Sequence, residues 1–231
     1  MSKINTVLAI DTCTEACSVA LYSNNKIYVD ESIAPREHSQ KLLKIVNELL
    51  NQAAIELADI DCLAYGRGPG SFTGIRICTS MAQGLSLGHD LPVIGISTLK
   101  AMAIKAQEQG ATQILCAIDA RMGEVYWCLY LVENGQLLQQ GDEMVSKPED
   151  VFVPEDLSGK LTLCGTGFDT YPQLTKITSI TEINESAKLP SAQEMLTLAL
   201  RADTEEFTIA DDIAPVYLRN TVAWKKLPGR E

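Results

Sequence analysis

The stretch Val7-Leu8-Ala9-Ile10-Asp11-Thr12-Cys13-Thr14-Glu15-Ala16-Cys17-Ser18-Val19-Ala20-Leu21-Tyr22 decides the fold. A short apolar run closes on an acidic residue. A turn of small residues follows, and alternation resumes at Cys17–Tyr22, where Val19 and Leu21 oppose Ser18 and Ala20. Short apolar or alternating runs bounded by turn signals read as strands. Asn24-Asn25 marks the next turn and Lys26–Ile33 a third strand, so the chain opens as an antiparallel meander with an Asp parked at its first turn. Later the same pattern returns. Ile114–Ile118 ends on Asp119, and Glu124–Val132 and Gln136–Val145 flank the hairpin turn Asn134-Gly135. Two such openings in one chain imply an internal duplication.

Between the two openings the spacing changes from strand to helix. A helix beginning at His38 or Ser39 places Leu42, Leu43, Ile45, Val46, Leu49, Leu50 and Ala53 on an apolar arc of about 160°. Cys62–Tyr65 is a strand, Gly66–Gly70 a tight turn, and Ser71 or Thr73 caps a second helix to about Leu87. Pro92–Ile96 is a strand and Thr98–Gln109 a third helix ending at Gly110. After the second opening, Leu161–Cys164 is a strand leading into Gly165-Thr166-Gly167, and Ser191–Ala202 is a helix. The second copy reads as shortened after residue 165.

Composition narrows the function classes. Among 231 residues, 30 Asp+Glu face 19 Lys+Arg, a net charge of −11, which argues against a chain that grips nucleic acid by itself. The charge is uneven: residues 1–100 carry 8 basic and 10 acidic side chains, net −2, and residues 101–231 carry 11 and 20, net −9. No apolar run reaches the roughly 18–20 residues of a membrane helix. The opening residues lack the pattern of a signal peptide, so the expected location is the cytoplasm. The 7 Cys include no CxxC pair, and they read as reduced, buried thiols. His38 and His89 are the only histidines, and their spacing suggests neither a metal site nor a triad.

A strand-terminal Asp followed by small hydroxylated residues, twice in one chain, is a phosphate-cradle layout in which turn amides bind phosphate and the Asp positions metal or water. By this reading Asp11, Thr12 and Asp119 are its remnants, with Gly165 and Gly167 where backbone would approach an adenosine; a turn role is the alternative for each. The segment Gly66-Arg67-Gly68-Pro69-Gly70-Ser71-Phe72-Thr73-Gly74-Ile75-Arg76 is more specific. It is not a P-loop, because no Lys-Ser/Thr follows its last glycine. It is a strand-to-helix corner whose helix N-terminus suits an anion, or a rigid corner packing two helices together.

Asp11-Thr12, His38-Ser39-Gln40, Gly66–Arg76, Arg121-Met122-Gly123-Glu124-Val125-Tyr126 and Pro215-Val216-Tyr217-Leu218-Arg219-Asn220 with Trp224-Lys225-Lys226 together resemble the bacterial TsaB family over nearly the whole chain. The resemblance implies an α/β fold made of a duplicated ribonuclease-H-like, actin-like ATPase unit (the ASKHA fold) with a reduced second lobe. The expected lobes are residues 1–104, joined by about 205–231, and residues 105–204. It also implies a non-catalytic role in forming threonylcarbamoyladenosine in tRNA, next to the anticodon, by binding and activating the catalytic subunit TsaD together with the ATPase TsaE. In TsaD the same corner is followed by an HxxxH pair that holds a metal. Counted from Pro92, the comparable positions here are Thr98 and Met102, neither a ligand for a hard metal, so no catalytic or metal-binding residue is expected. ATP or ADP then enters only at the level of the complex, and tRNA indirectly. The alternative is a self-sufficient actin-like ATPase or phosphotransferase using Asp11 and Asp119. A peptidase role fails for want of metal ligands or a nucleophile–base pair.

The apolar surface makes a separate argument. The arc of the first helix is wide for one sheet face, and the second helix carries Gly74, Ser80, Ala82 and Gly84, small residues that admit a neighbour. Leaving about five Leu, Ile or Val side chains in water forfeits roughly 10 kcal/mol of burial, so an exposed remainder would mark an interface. The near-neutral first half fits an interface centre depleted in charge. The expected partner-binding residues are Leu42, Leu43, Val46, Leu49, Leu50, Ile75, Thr79, Ala82 and Gln83, beside the corner residues Gly68, Pro69, Gly70, Ser71, Thr73, Gly74 and Arg76. By the resemblance this face packs on TsaD, and without TsaD it forms a homodimer. Arg219, Lys225, Lys226 and Arg230 add a basic cluster suited to an acidic partner or to tRNA.

Overall fold

The computed structural model describes residues 4–155 and 157–219. Strands β1 (Val7–Asp11), β2 (Ala16–Ser23) and β3 (Lys26–Ile33) form the first meander. Helix α1 (His38–Ala53), β4 (Cys62–Gly68), α2 (Phe72–His89), β5 (Val93–Ser97) and α3 (Thr98–Glu108) follow. The second unit contains β6 (Gln113–Arg121), β7 (Glu124–Glu133), β8 (Gln136–Ser146), β9 (Leu161–Cys164), the single-turn α4 (Gly167–Thr170), β10 (Thr181–Ile183) and α5 (Ala192–Arg201).

The two sheets prove the duplication. The first runs β3-β2-β1-β4-β5 and the second β8-β7-β6-β9-β10, read from corresponding edges. In each, the first three strands are antiparallel, and the next strand joins parallel to the first. This is the duplicated ribonuclease-H-like, actin-like arrangement. The hairpin turns behave as their residues dictate: Asn24-Asn25 and Asn134-Gly135 all adopt positive φ, the twist that two-residue loops require.

The expected boundary at residue 104 cuts a helix. Residue 104 falls inside α3, whose Leu99, Met102, Ala103 and Ala106 pack in the core of the second sheet. Helix α5 does the converse: its Ala192, Met195, Leu196 and Ala199 pack on Val7, Ala9 and Ala64 of the first sheet. The two helices thus form a shared layer between the sheets. The shortening of the second lobe spares its sheet, because β10 completes a fifth strand. What is reduced is the outer helical layer. Opposite α1 and α2 the second lobe has, among the described residues, only α4 and short 3-10 turns, which bring Val151, Phe168 and Leu174 onto its sheet.

Helix α1 shows where the wide apolar arc goes. Leu42, Ile45, Val46, Leu49 and Leu50 are all buried with Leu8, Ile10, Leu21 and Leu63. Tyr28 of β3 and the segment carrying Ile55, Leu57 and Ile60 close around the helix from its sides. A helix packed against a sheet and flanked on both sides buries more than one stripe.

Candidate functional site

The corner after β4 is built around the turn between β1 and β2. Three of its glycines stand where any side chain would collide with that turn. A methyl group at Gly66 would fall on the Asp11 carboxylate, at Gly70 on the Cys13 carbonyl, and at Gly74 on the Thr12 carbonyl. Hydrogen bonds lock the same surfaces. The Ser71 amide donates to Cys13 O at 2.7 Å and the Thr12 hydroxyl donates to Gly74 O at 2.8 Å. The Thr98 hydroxyl donates to Pro69 O. Of the two candidate caps for α2 it is Ser71 that serves, its Oγ accepting from the Gly74 amide at 3.4 Å, while Thr73 points outward. The glycine motif is therefore a packing device that covers the first turn.

That covering changes the reading of the phosphate cradle. Asp11 and Thr12 are fully buried beneath the corner. Burial pushes the Asp11 carboxyl up to about 6, against the opposing pull of hydrogen bonds from Cys13. Asp119 is engaged instead: its Oδ1 accepts from the Arg121 amide at 2.9 Å and its Oδ2 from the Arg121 guanidinium at 2.9 Å. Arg121 also reaches Glu15 in the first turn at 3.2 Å, joining the two lobes across the cleft. Gly165 and Gly167 serve close packing, since a methyl group at either would fall on the Ala117 carbonyl of β6, and Gly165 has φ of 113°. Asp11, Thr12, Asp119, Gly165 and Gly167 thus do not form an open nucleotide cradle. The residues present do not fit a metal-bound nucleotide held as in an actin-like ATPase.

The positions comparable to the metal ligands of TsaD are equally enclosed. Thr98 is committed to Pro69 O, and Met102 is buried in the core of the second lobe. His38 opens α1 and His89 closes α2. All 7 cysteines are free and buried. Burial raises each thiol for which a shift is resolved, Cys17 to about 11 and Cys62 and Cys128 to about 12.

The expected partner-binding residues need a larger correction. Leu42, Val46, Leu49, Leu50, Ile75, Thr79 and Ala82 are buried within the first lobe. Their apolar character is spent on the sheet, so they offer no free surface. Leu43 is 47% exposed, and half-buried Gln83 donates to Ala210 O at 3.3 Å. The face the chain does present is the opposite side of α2. Phe72, Thr73, Arg76, Ile77, Ser80 and Met81 line a groove of about 430 Å³ with Ser39 of α1. Leu43 lies one helical turn beyond Ser39 on the same face. Phe72 is 52% exposed and lies under the Arg76 guanidinium, 3.5 Å from the ring centroid. Arg76 Nε in turn donates to the Tyr217 hydroxyl at 2.8 Å. Sequence reading missed exposed Phe72 and Tyr217 and the half-buried Ile77 and Met81 of this groove. The signal was there in part: Phe72, Arg76 and Ser80 recur every four residues, as do Thr73, Ile77 and Met81, opposite the buried Ile75, Cys78 and Ala82.

The segment before residue 220 ties this face to the second lobe. The Val216 amide donates to Arg67 O at 2.9 Å, and Arg67 pairs with Glu143 at 3.2 Å. Arg219 donates to the carbonyls of Ala120 and Arg121, each at 3.2 Å, and pairs with Glu124. Arg219 is therefore spent inside the molecule. Lys225, Lys226 and Arg230 lie outside the described residues. Among the described residues no helix is long and apolar enough to cross a membrane.

Comparison with known proteins agrees with this geometry. Residues 25–227 match the family model described as TsaD, tRNA N6-adenosine threonylcarbamoyltransferase. The tRNA threonylcarbamoyladenosine biosynthesis protein TsaB of Escherichia coli is 49% identical over 97% of this chain and 99% of its own length. The protein of the same name from Haemophilus influenzae is 44% identical over 98% of each. The solved structure of YeaZ from Pseudomonas aeruginosa superposes with a TM-score of 0.85 at 41% identity, covering 93% of this chain and all of that one. On fold, motif and full-length identity alike, the chain belongs to the TsaB family.

Proposed function

We propose that this chain takes part in threonylcarbamoyladenosine formation in tRNA as a non-catalytic subunit that binds and activates a TsaD-type catalytic subunit in the cytoplasm. TsaE joins the assembly as its ATPase. The observation that carries the reading is the groove beside α2, an apolar face ringed by Ser39, Thr73 and Ser80 on a protein of the TsaB family. The match to a TsaD family model adds a geometric reason. Two related chains with one fold can dock through equivalent faces, as a homodimer docks through one patch used twice. The same face then serves a homodimer when TsaD is absent. The enclosure of Asp11 and Thr12 disfavours the self-sufficient ATPase, and nucleotide enters this reading only with the assembled complex.

The test is association with TsaD, followed by size-exclusion chromatography with light scattering. Leu43→Asp and Phe72→Asp change exposed side chains, and an acidic residue suits the first turn of α2. Both variants are expected to stay folded and to lose the complex. Ile183→Asp, an exposed site on the second lobe, is expected to keep it. Undiminished association of both groove variants would overturn the docking surface.

A further inference from the structure

The enclosed Asp11 is not alone in the core. One oxygen of its carboxylate, Cys13 Sγ and Cys78 Sγ all lie within 4.8 Å of one another, brought together from the β1–β2 turn and the middle of α2. All three side chains are fully buried. Asp11 Oδ1 accepts from the Cys13 amide at 3.3 Å, but Oδ2 has no hydrogen-bond partner. A carboxylate oxygen left without a partner in a protein core is costly, and such an atom calls for an ion or a proton.

We propose that Asp11, Cys13 and Cys78 form a closed structural site for a thiophilic divalent cation, with zinc as the ion of best fit. Two sulfur ligands and one oxygen are a borderline-soft donor set, which selects zinc over magnesium. Zinc has no geometric preference from its d electrons, so it tolerates donors fixed by a strand end and a helix. On binding, each thiol releases its proton, and the two thiolates and the carboxylate share the cation between them. Two carbonyls stand beside the sulfurs: Gly66 O lies 3.2 Å from Cys13 Sγ, and Ile10 O lies 3.4 Å from Cys78 Sγ. Each now accepts a thiol proton and either offers an oxygen toward a fourth position. No donor reaches solvent, so the ion enters as the chain folds and adds its binding energy to the first lobe. The Asp that an actin-like layout turns toward a nucleotide here turns toward two thiols.

The experiment refolds the reduced, full-length chain with zinc ions, removes free metal by gel filtration, and measures zinc by elemental analysis. Cobalt ions serve as a second probe, read by their thiolate charge-transfer absorption. One equivalent of zinc per chain is expected, with a raised melting temperature and a cobalt–thiolate band. Cys13→Ser and Cys78→Ser are expected to lose the metal and the band, and Cys128→Ser, a buried thiol outside the cluster, to keep both. Because a core serine can unfold the chain, Asp11→Asn provides a near-isosteric variant, expected to weaken zinc retention at least tenfold. Absence of zinc from the refolded wild-type protein would overturn the proposal. So would equal retention in the Cys13, Cys78 and Cys128 variants, or a Cys13–Cys78 disulfide in the freshly isolated protein.

Discussion

Gly74 and Gly84 stand on the same helix, and in the sequence they look alike. In the structure a side chain at Gly74 meets the Thr12 carbonyl, whereas nothing lies within 4 Å of a side chain at Gly84. Gly74→Ala is therefore expected to cost roughly 1–3 kcal/mol through overpacking, while Gly84→Ala is expected to gain about 0.5–1 kcal/mol through helix propensity. Chemical denaturation of the two variants checks the pair, and equal effects would mean that the corner is not close-packed. The contrast also marks what was legible at this scale. The segment Gly66–Arg76 announced a tight corner, because its glycine spacing admits little else. Its purpose was hidden, because the groups that demand those glycines, the Asp11 carboxylate and the Thr12 and Cys13 carbonyls, are far away in the chain. Asp11 shows the same gap. Its place at the end of β1 was plain from the sequence, but Cys78, its neighbour in space, is 67 residues away.

At the scale of elements, most strands and helices were legible because their spacing is unambiguous. Both meanders, α1, α2, α3 and α5 lie where hydrophobic periodicity and turn residues put them. Strand β10 was missed, being only three residues long with no buried side chain. The partners of each element were less legible. The arc of α1 exceeded what a sheet alone covers, but Tyr28, Ile55 and Leu57 absorb it. Helix α5 carries an informative exception on its packed face. Glu194 is buried, with Lys105 at 3.8 Å from one oxygen and no partner for the other. Burial raises its proton affinity more than Lys105 lowers it. The folded state thus favours the protonated acid. Its contribution to stability is full below the ordinary carboxylate value of 4.5 and is lost as pH rises through the raised one. Glu194→Gln is accordingly expected to melt above the wild type at neutral pH, with the gap closing in acid. Thermal melts across that range decide it, and a gap that widens in acid would show that the Lys105 pairing outweighs burial.

For the whole molecule, the two meanders already implied a duplication, and the matching strand orders complete it. The exchange of α3 and α5 between the lobes was not legible, because any apolar helix face fits either sheet. Among the described residues the second lobe has no long outer helix, so the outer helical face belongs to the first lobe, and the α2 groove lies there. Arg121 with Glu15, Arg67 with Glu143, and Arg219 with Glu124 hold that lobe to the second from three places. The charge division of −2 and −9 agrees with a docking face in the first half of the chain. By the proposed function, this chain supports another subunit's chemistry through that face. The most direct measurement is the threonylcarbamoyladenosine formed in tRNA by TsaD and TsaE, with the wild-type chain, with Phe72→Asp, and with neither. Modification is expected only with the wild-type chain, and none from this chain without TsaD. Full modification with Phe72→Asp or with neither, or modification by this chain when TsaD is left out, would overturn that role.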